Sequence, residues 1–198
     1  MSDEDFATIT IDGRKLSKHT PANPAPLGFI AVGLTIVFYC FYVAGLYELN
    51  SLVFTLGLIY GGITLLIVSA MEFKNGNTFG TVAFGLYGIY WISDMLIIVF
   101  GKMGWVTSSD ITSIAIFYFI WGLFTLGIFV GTLKLSRPVQ AFFLTLTILF
   151  FLLTGWVLNG DPTLALITGV EGIICGAIGV YIGLGEVLND LFGNSKSF

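Results

Sequence analysis

Charge is scarce in this chain: 10% of its 198 residues are Asp, Glu, Lys or Arg, where a soluble domain carries about 25%. That shortage, with a mean hydropathy of +0.95, excludes a water-soluble globular domain. There is one histidine, His19, and it stands in the polar N-terminal stretch. A histidine-based zinc or haem site within the apolar part of the chain is therefore excluded, and no metal or cofactor is expected. The two cysteines, Cys40 and Cys175, both fall in apolar runs and read as small packing residues. Basic residues form no patch, so nucleic-acid binding has no support. No Ser/His/Asp set, metal-ligand cluster or phosphate-binding glycine loop occurs, and an enzyme is not expected.

Long apolar runs fill the space that charge leaves. Six of them, at about 27–47, 51–71, 79–101, 111–132, 138–158 and 162–185, meet the roughly 20 residues a helix needs to cross about 30 Å of hydrocarbon. Barrel strands would be shorter and would alternate in polarity. Turn signals such as Lys74 to Asn77 and Asn159-Gly160-Asp161-Pro162 separate the runs. The sequence thus predicts an all-α membrane protein: a polar tail over 1–22, a six-helix domain over 23–190, and a short C-terminal tail over 191–198. With the N-terminus on one side, that side receives Arg14, Lys15, Lys18, Lys74, Lys134, Arg137 and Lys196, and the other only Lys102. The positive-inside rule then places both termini in the cytoplasm.

The first run opens on Asn23-Pro24-Ala25-Pro26-Leu27-Gly28, which predicts Asn23 as an N-cap with proline at the first helical position. Free N–H groups and the positive dipole end at such a start favour small anions. Glycine is plentiful, and Gly57/Gly61, Gly127/Gly131, Gly172/Gly176 and Gly179/Gly183 have the spacing of close helix contacts, either within the chain or between subunits. Two carboxylates lie inside predicted spans. At 1.5 Å per residue, Asp94 is roughly 10 Å and Glu171 roughly 14 Å from the nearer helix end, so the two could meet. Each costs about 2.5–3.5 kcal/mol if isolated at mid-bilayer, so each reads as a proton-coupling group or a hydrogen-bonded structural acid. Glu72, Glu48, Asp161 and Glu186 read as boundary charges near water. Tyr87 lies mid-helix, where its hydroxyl needs a partner.

These residues resemble the acetate uptake transporter family, also called succinate–acetate permeases. The resemblance rests on the Asn23–Gly28 block and, in order after it, on Tyr60-Gly61-Gly62, Gly76 to Gly80, and Tyr87-Gly88 with Trp91. It continues through Trp121 to Thr125, Gly131 to Lys134, Gly172 to Gly176 and Gly185 to Asn189. It implies a six-helix protomer assembled as a homo-hexamer in a cell membrane, with a path in every protomer. It implies uptake of acetate, related monocarboxylates and succinate, by proton symport or channel-like conduction, in a prokaryotic setting. It also implies a hydrophobic constriction, whose matching positions here are Val32, Tyr87 and Leu146. Val32 stands where the family pattern has phenylalanine, which implies a wider or differently shaped gate. On this expectation acetate passes Asn23, Pro24 and Pro26, takes a hydrogen bond from the Tyr87 hydroxyl, and crosses the apolar ring more readily as acid than as ion. A hexameric channel for neutral solutes such as urea is the rival expectation.

Overall fold

A computed structural model of the chain describes residues 8–11, 14–17 and 21–193. Seven α-helices and one π-helical segment occur in it: α1 (Ala25–Val43), α2 (Ser51–Leu56), the π segment (Gly57–Thr64), α3 (Leu65–Lys74), α4 (Thr78–Met103), α5 (Ile111–Thr132), α6 (Arg137–Asn159) and α7 (Pro162–Phe192). The stretch from Ser51 to Lys74 runs as one span, so six helical stretches are long and apolar enough to cross a membrane. The protein is a multi-pass membrane protein of the expected class.

The boundaries differ from expectation in three places. Within 1–22, strands β1 (Thr8–Ile11) and β2 (Arg14–Ser17) pair antiparallel, Thr8 opposite Ser17 and Ile11 opposite Arg14. The last helix runs seven residues past Gly185 to Phe192, across the expected 190/191 boundary. Residues 1–7, 12–13, 18–20 and 194–198 of the two expected tails, with Lys18, His19 and Lys196, lie outside the described residues. The third difference is the π segment, where a Gly61-Gly62 pair and a Thr64 hydroxyl donating to the Ile59 carbonyl at 2.9 Å widen the turn. Such a widened turn re-aims the side chains of a helix.

Local chemistry starts and stops these helices. Asn50, Asn77, Asp110 and Asp161 cap α2, α4, α5 and α7 with side-chain oxygens, satisfying N–H groups that the first turn leaves open. Two hydrogen bonds from Ser113, one from its backbone N–H and one from its hydroxyl, hold the exposed Asp110 carboxyl below the ordinary aspartate value of 3.8. Helix α6 stops at Gly160, whose φ of +63° suits only a residue without a side chain.

Packing follows from small residues. Gly169, Gly172, Gly176, Gly179 and Gly183 form a stripe along α7 that faces α1 from Ala44 down to Pro26. A Cβ on Gly176 would sit 2.5 Å from the Gly33 carbonyl oxygen, and one on Gly33 as close to that of Gly176. Only paired glycines let the two backbones approach this far. Helix α7 also packs on α6, α6 on α5, and α4 on the second span, which in turn touches α1. Contacts between α4 and α5 side chains, such as the Tyr90–Phe117 stack, close the ring. Gly57 and Gly61 abut Met95 and Trp91 of α4, while Gly172 abuts Cys40 of α1. Of the eight glycines expected at close contacts, Gly57, Gly61, Gly172, Gly176, Gly179 and Gly183 therefore face their own chain, whereas Gly127 and Gly131 meet no backbone of its other helices.

Candidate functional site

Inside the ring of spans lie two cavities in series. The larger, about 280 Å³, opens at the end carrying Ala25, Glu72, Asn77, Ser136 and Glu186, and narrows between Phe29, Phe84, Phe142 and Phe143. The smaller, about 20 Å³, lies beyond it among Ile36, Tyr39, Tyr90, Trp91 and Phe150. Val32 of α1, Tyr87 of α4 and Leu146 of α6 line both. Each is about 95% buried, and together they form an apolar ring at the junction. Three helices from different parts of the chain bring them there, so no local sequence feature marks the ring.

Tyr87 contributes its ring and not its hydroxyl. The hydroxyl donates to Thr125 Oγ1 at 2.8 Å, and Thr125 donates in turn to the Trp121 carbonyl at 2.7 Å. The expected hydrogen bond from Tyr87 to a passing solute is thus already spent on α5. Trp121, Phe124 and Phe143 pack around the Tyr87 ring with centroids 5.9–6.1 Å away and hold it in place.

The Asn23 end also differs from expectation. Pro24, with αR dihedrals of −83° and −13°, takes the cap position itself. Asn23 Oδ1 accepts from the Ala25 N–H at 3.0 Å, and Asn23 Nδ2 donates to Glu186 Oε2 at 3.1 Å. The amide oxygen and one of its two N–H groups are thus occupied, and a carboxylate borders the helix start. Asn23 and Pro26 line an open groove beside α7 and neither of the two cavities. Pro24 is buried and lines none of these spaces.

Two carboxylates read from the sequence as solvated boundary charges belong to the larger cavity. Glu72 is 2% exposed; its Oε2 accepts from Asn77 Nδ2 at 2.8 Å, and its Oε1 is buried without a hydrogen-bond partner. Glu186 lines the same cavity. Helical phase held the signal for Glu72, because it shares a face with Leu65 and Val68, all buried.

The two intramembrane acids do not meet. Helix α4 packs on the second span and α7 on α1 and α6, which gives the acids separate neighbours. Asp94, 3% exposed, accepts from the Tyr118 hydroxyl at 3.0 Å through Oδ1, while its Oδ2 is buried and unpartnered. Tyr118 is in turn 3.1 Å from the Tyr39 hydroxyl. Glu171 sits half-buried next to Gly172, both oxygens without a partner, and lines neither cavity. Among the described residues no group of three or more His, Cys, Asp or Glu side chains could hold a metal.

Six spans around an axial pair of cavities, divided by an apolar ring, define a helical membrane protein with an internal solute path. The chain belongs to the GPR1/FUN34/yaaH family, whose model matches residues 7–194. It is 37% identical over 174 residues to the succinate-acetate/proton symporter SatP of Escherichia coli K12, covering 88% of this chain and 93% of that protein. Acetate permease A of Emericella nidulans is 34% identical over 144 residues, 68% of this chain and 48% of the permease. The solved structure of the bacterial acetate channel SatP superposes with a TM-score of 0.85 at 37% identity, over 88% of this chain and 96% of that one. The relatives are transporters and channels, in keeping with a protein that is not an enzyme.

Proposed function

We propose that this protein moves acetate and related short carboxylates, succinate among them, across the cell membrane, with both termini in the cytoplasm and six protomers in the assembly. One observation carries the reading: Val32, Tyr87 and Leu146 each line both cavities, so a solute going from one to the other must pass all three. An ion leaving water for such a ring loses hydration that apolar carbons cannot replace, whereas the neutral acid loses far less. The polar groups of the larger cavity suit the acid as well. Glu72 Oε1 has no partner and can accept the single O–H that a carboxylic acid offers, while two carboxylates beside it repel a bare anion. The names of the relatives, a symporter, a permease and a channel, support carboxylate over urea as cargo. Proton coupling is assigned to the buried acids, Asp94 ahead of Glu171, because only Asp94 is hydrogen-bonded toward the path.

Labelled acetate uptake into proteoliposomes tests this, with urea-driven swelling measured on the same vesicles. The expected result is saturable acetate uptake, no urea response, and faster uptake with weaker carboxylate selectivity in Leu146→Ala. Urea swelling without acetate uptake would replace the reading with a neutral-solute channel.

A further inference from the structure

We infer that Asp94, Tyr118 and Tyr39 form a proton relay that protonates the carboxylate at the apolar ring. The inference rests on the carboxylate reading above and deepens it by naming where the coupled proton comes from. Three helices build the relay: Asp94 on α4, Tyr118 on α5 and Tyr39 on α1. The oxygens stand 3.0 and 3.1 Å apart in sequence, distances across which a proton passes along existing hydrogen bonds. Its inner end, Tyr39, lines the smaller cavity together with Val32, Tyr87 and Leu146. That cavity, about 20 Å³, has room for about one water, next to a carboxylate held at the ring.

At the outer end, Asp94 Oδ2 is buried and unpartnered, which leaves it free to carry a proton. Among the described residues, the titratable groups that face Asp94 are Tyr39 and Tyr42 of α1, Tyr90 of its own helix and Tyr118 of α5. No cation among the described residues faces it to hold it permanently as a counter-ion. Lys102, farther along α4, lies over the Phe54 ring instead.

The transfer balances. Protonated on Oδ2, Asp94 turns its carboxyl so that the O–H faces the Tyr118 oxygen. It gives that proton to Tyr118 as Tyr118 gives its own to Tyr39 and Tyr39 gives its own to the carboxylate. Three O–H bonds break and three form, the solute becomes a neutral acid, and Asp94 is left ionised. In that state both hydroxyls point back toward Asp94, which is the arrangement with Tyr118 donating to Oδ1. Asp94, buried in this arrangement, then takes a proton as the bundle admits water to it from the side away from the termini, and the carboxyl and both hydroxyls turn again.

The test is the initial rate of acetate uptake by proteoliposomes at a fixed acetate-anion concentration and falling outer pH, with an internal pH dye and the protein-free leak subtracted. In the wild type, uptake and lumenal acidification rise together by up to about tenfold per pH unit, since proton activity changes tenfold. In Asp94→Asn and Tyr118→Phe the rise is expected to shrink below about twofold, and Asp94→Glu is expected to restore it. Tyr118→Phe and Tyr39→Phe each delete one oxygen and keep the ring, so the relay is tested even if Asp94→Asn does not fold. A wild-type pH response in either tyrosine variant overturns the relay while leaving carboxylate transport intact. Absence of acetate uptake in the wild type overturns the transport reading, and the relay with it.

Discussion

The hydroxyl of Tyr87 shows how one hydrogen bond changes what a residue can do. Because it is donated to Thr125, Tyr87 acts in the path as an apolar plate. Tyr87→Phe should therefore alter acetate flux by less than about twofold, at a stability cost near the 0.5–1.5 kcal/mol of one hydrogen bond. Val32→Phe should behave differently, since it adds a ring to a junction that is already 95% buried. Its expected outcome is slower uptake, with succinate slowed more than acetate because the longer acid needs the wider ring. Uptake of both labelled acids by the two variants checks the pair. The sequence resemblance brought Val32, Tyr87 and Leu146 into view, but it could not tell ring from hydroxyl, since the partner lies 38 residues away on α5. Glu186 was hidden for the same kind of reason: its link to Asn23 spans 163 residues.

Elements were the most legible level, because spacing along one helix is written in the sequence. The six spans follow from hydropathy and length, and three of the four GxxxG spacings mark where helices touch, while a Cβ on Gly127 would have no neighbour within 4 Å and one on Gly131 only the Phe79 ring at 3.9 Å. Which neighbour they touch is a tertiary fact: the stripe on α7 meets α1, while Gly57 and Gly61 meet α4. The paired strands near the N-terminus left a readable trace in Thr8-Ile9-Thr10-Ile11, β-branched throughout. The stripe predicts a contrast between two substitutions. A Cβ on Gly172 would collide first with Cys40 Sγ, a side-chain atom that can be removed, whereas one on Gly176 meets the Gly33 carbonyl and the Val37 backbone. Gly172→Ala should cost about 1–3 kcal/mol as overpacking, and Cys40→Ala in the same chain should return most of it. Gly176→Ala should cost at least as much, and Cys40→Ala should not relieve it. Thermal unfolding of the single and double variants in detergent reads the difference as a coupling energy.

At the scale of the whole molecule, the arrangement is an acceptor-rich cavity, an apolar ring and a hydrogen-bonded acid on the far side. Glu72 and Glu186 line the near cavity, Asp94 is linked to the far one through Tyr118 and Tyr39, and all three are acceptors when ionised. An anion meets like charge before the ring and loses hydration within it, while a neutral acid brings the one donor these groups can use. On the function proposed above, the crossing species is the acid, and selectivity arises from the ability to take up a proton more than from a fitted anion pocket. Nitrate, a small anion that stays ionised at neutral pH, makes the distinction sharp. An isolated charge at mid-membrane costs about 2.5–3.5 kcal/mol on insertion scales, and each 1.4 kcal/mol is about tenfold in rate, so nitrate should cross about sixtyfold to three-hundredfold more slowly than acetate. Leu146→Ala should narrow that gap by admitting water to the ring and reducing the loss of hydration. Parallel uptake of nitrate and acetate by wild-type and Leu146→Ala proteoliposomes measures both effects, and equal rates in the wild type would mean that the ring passes ions.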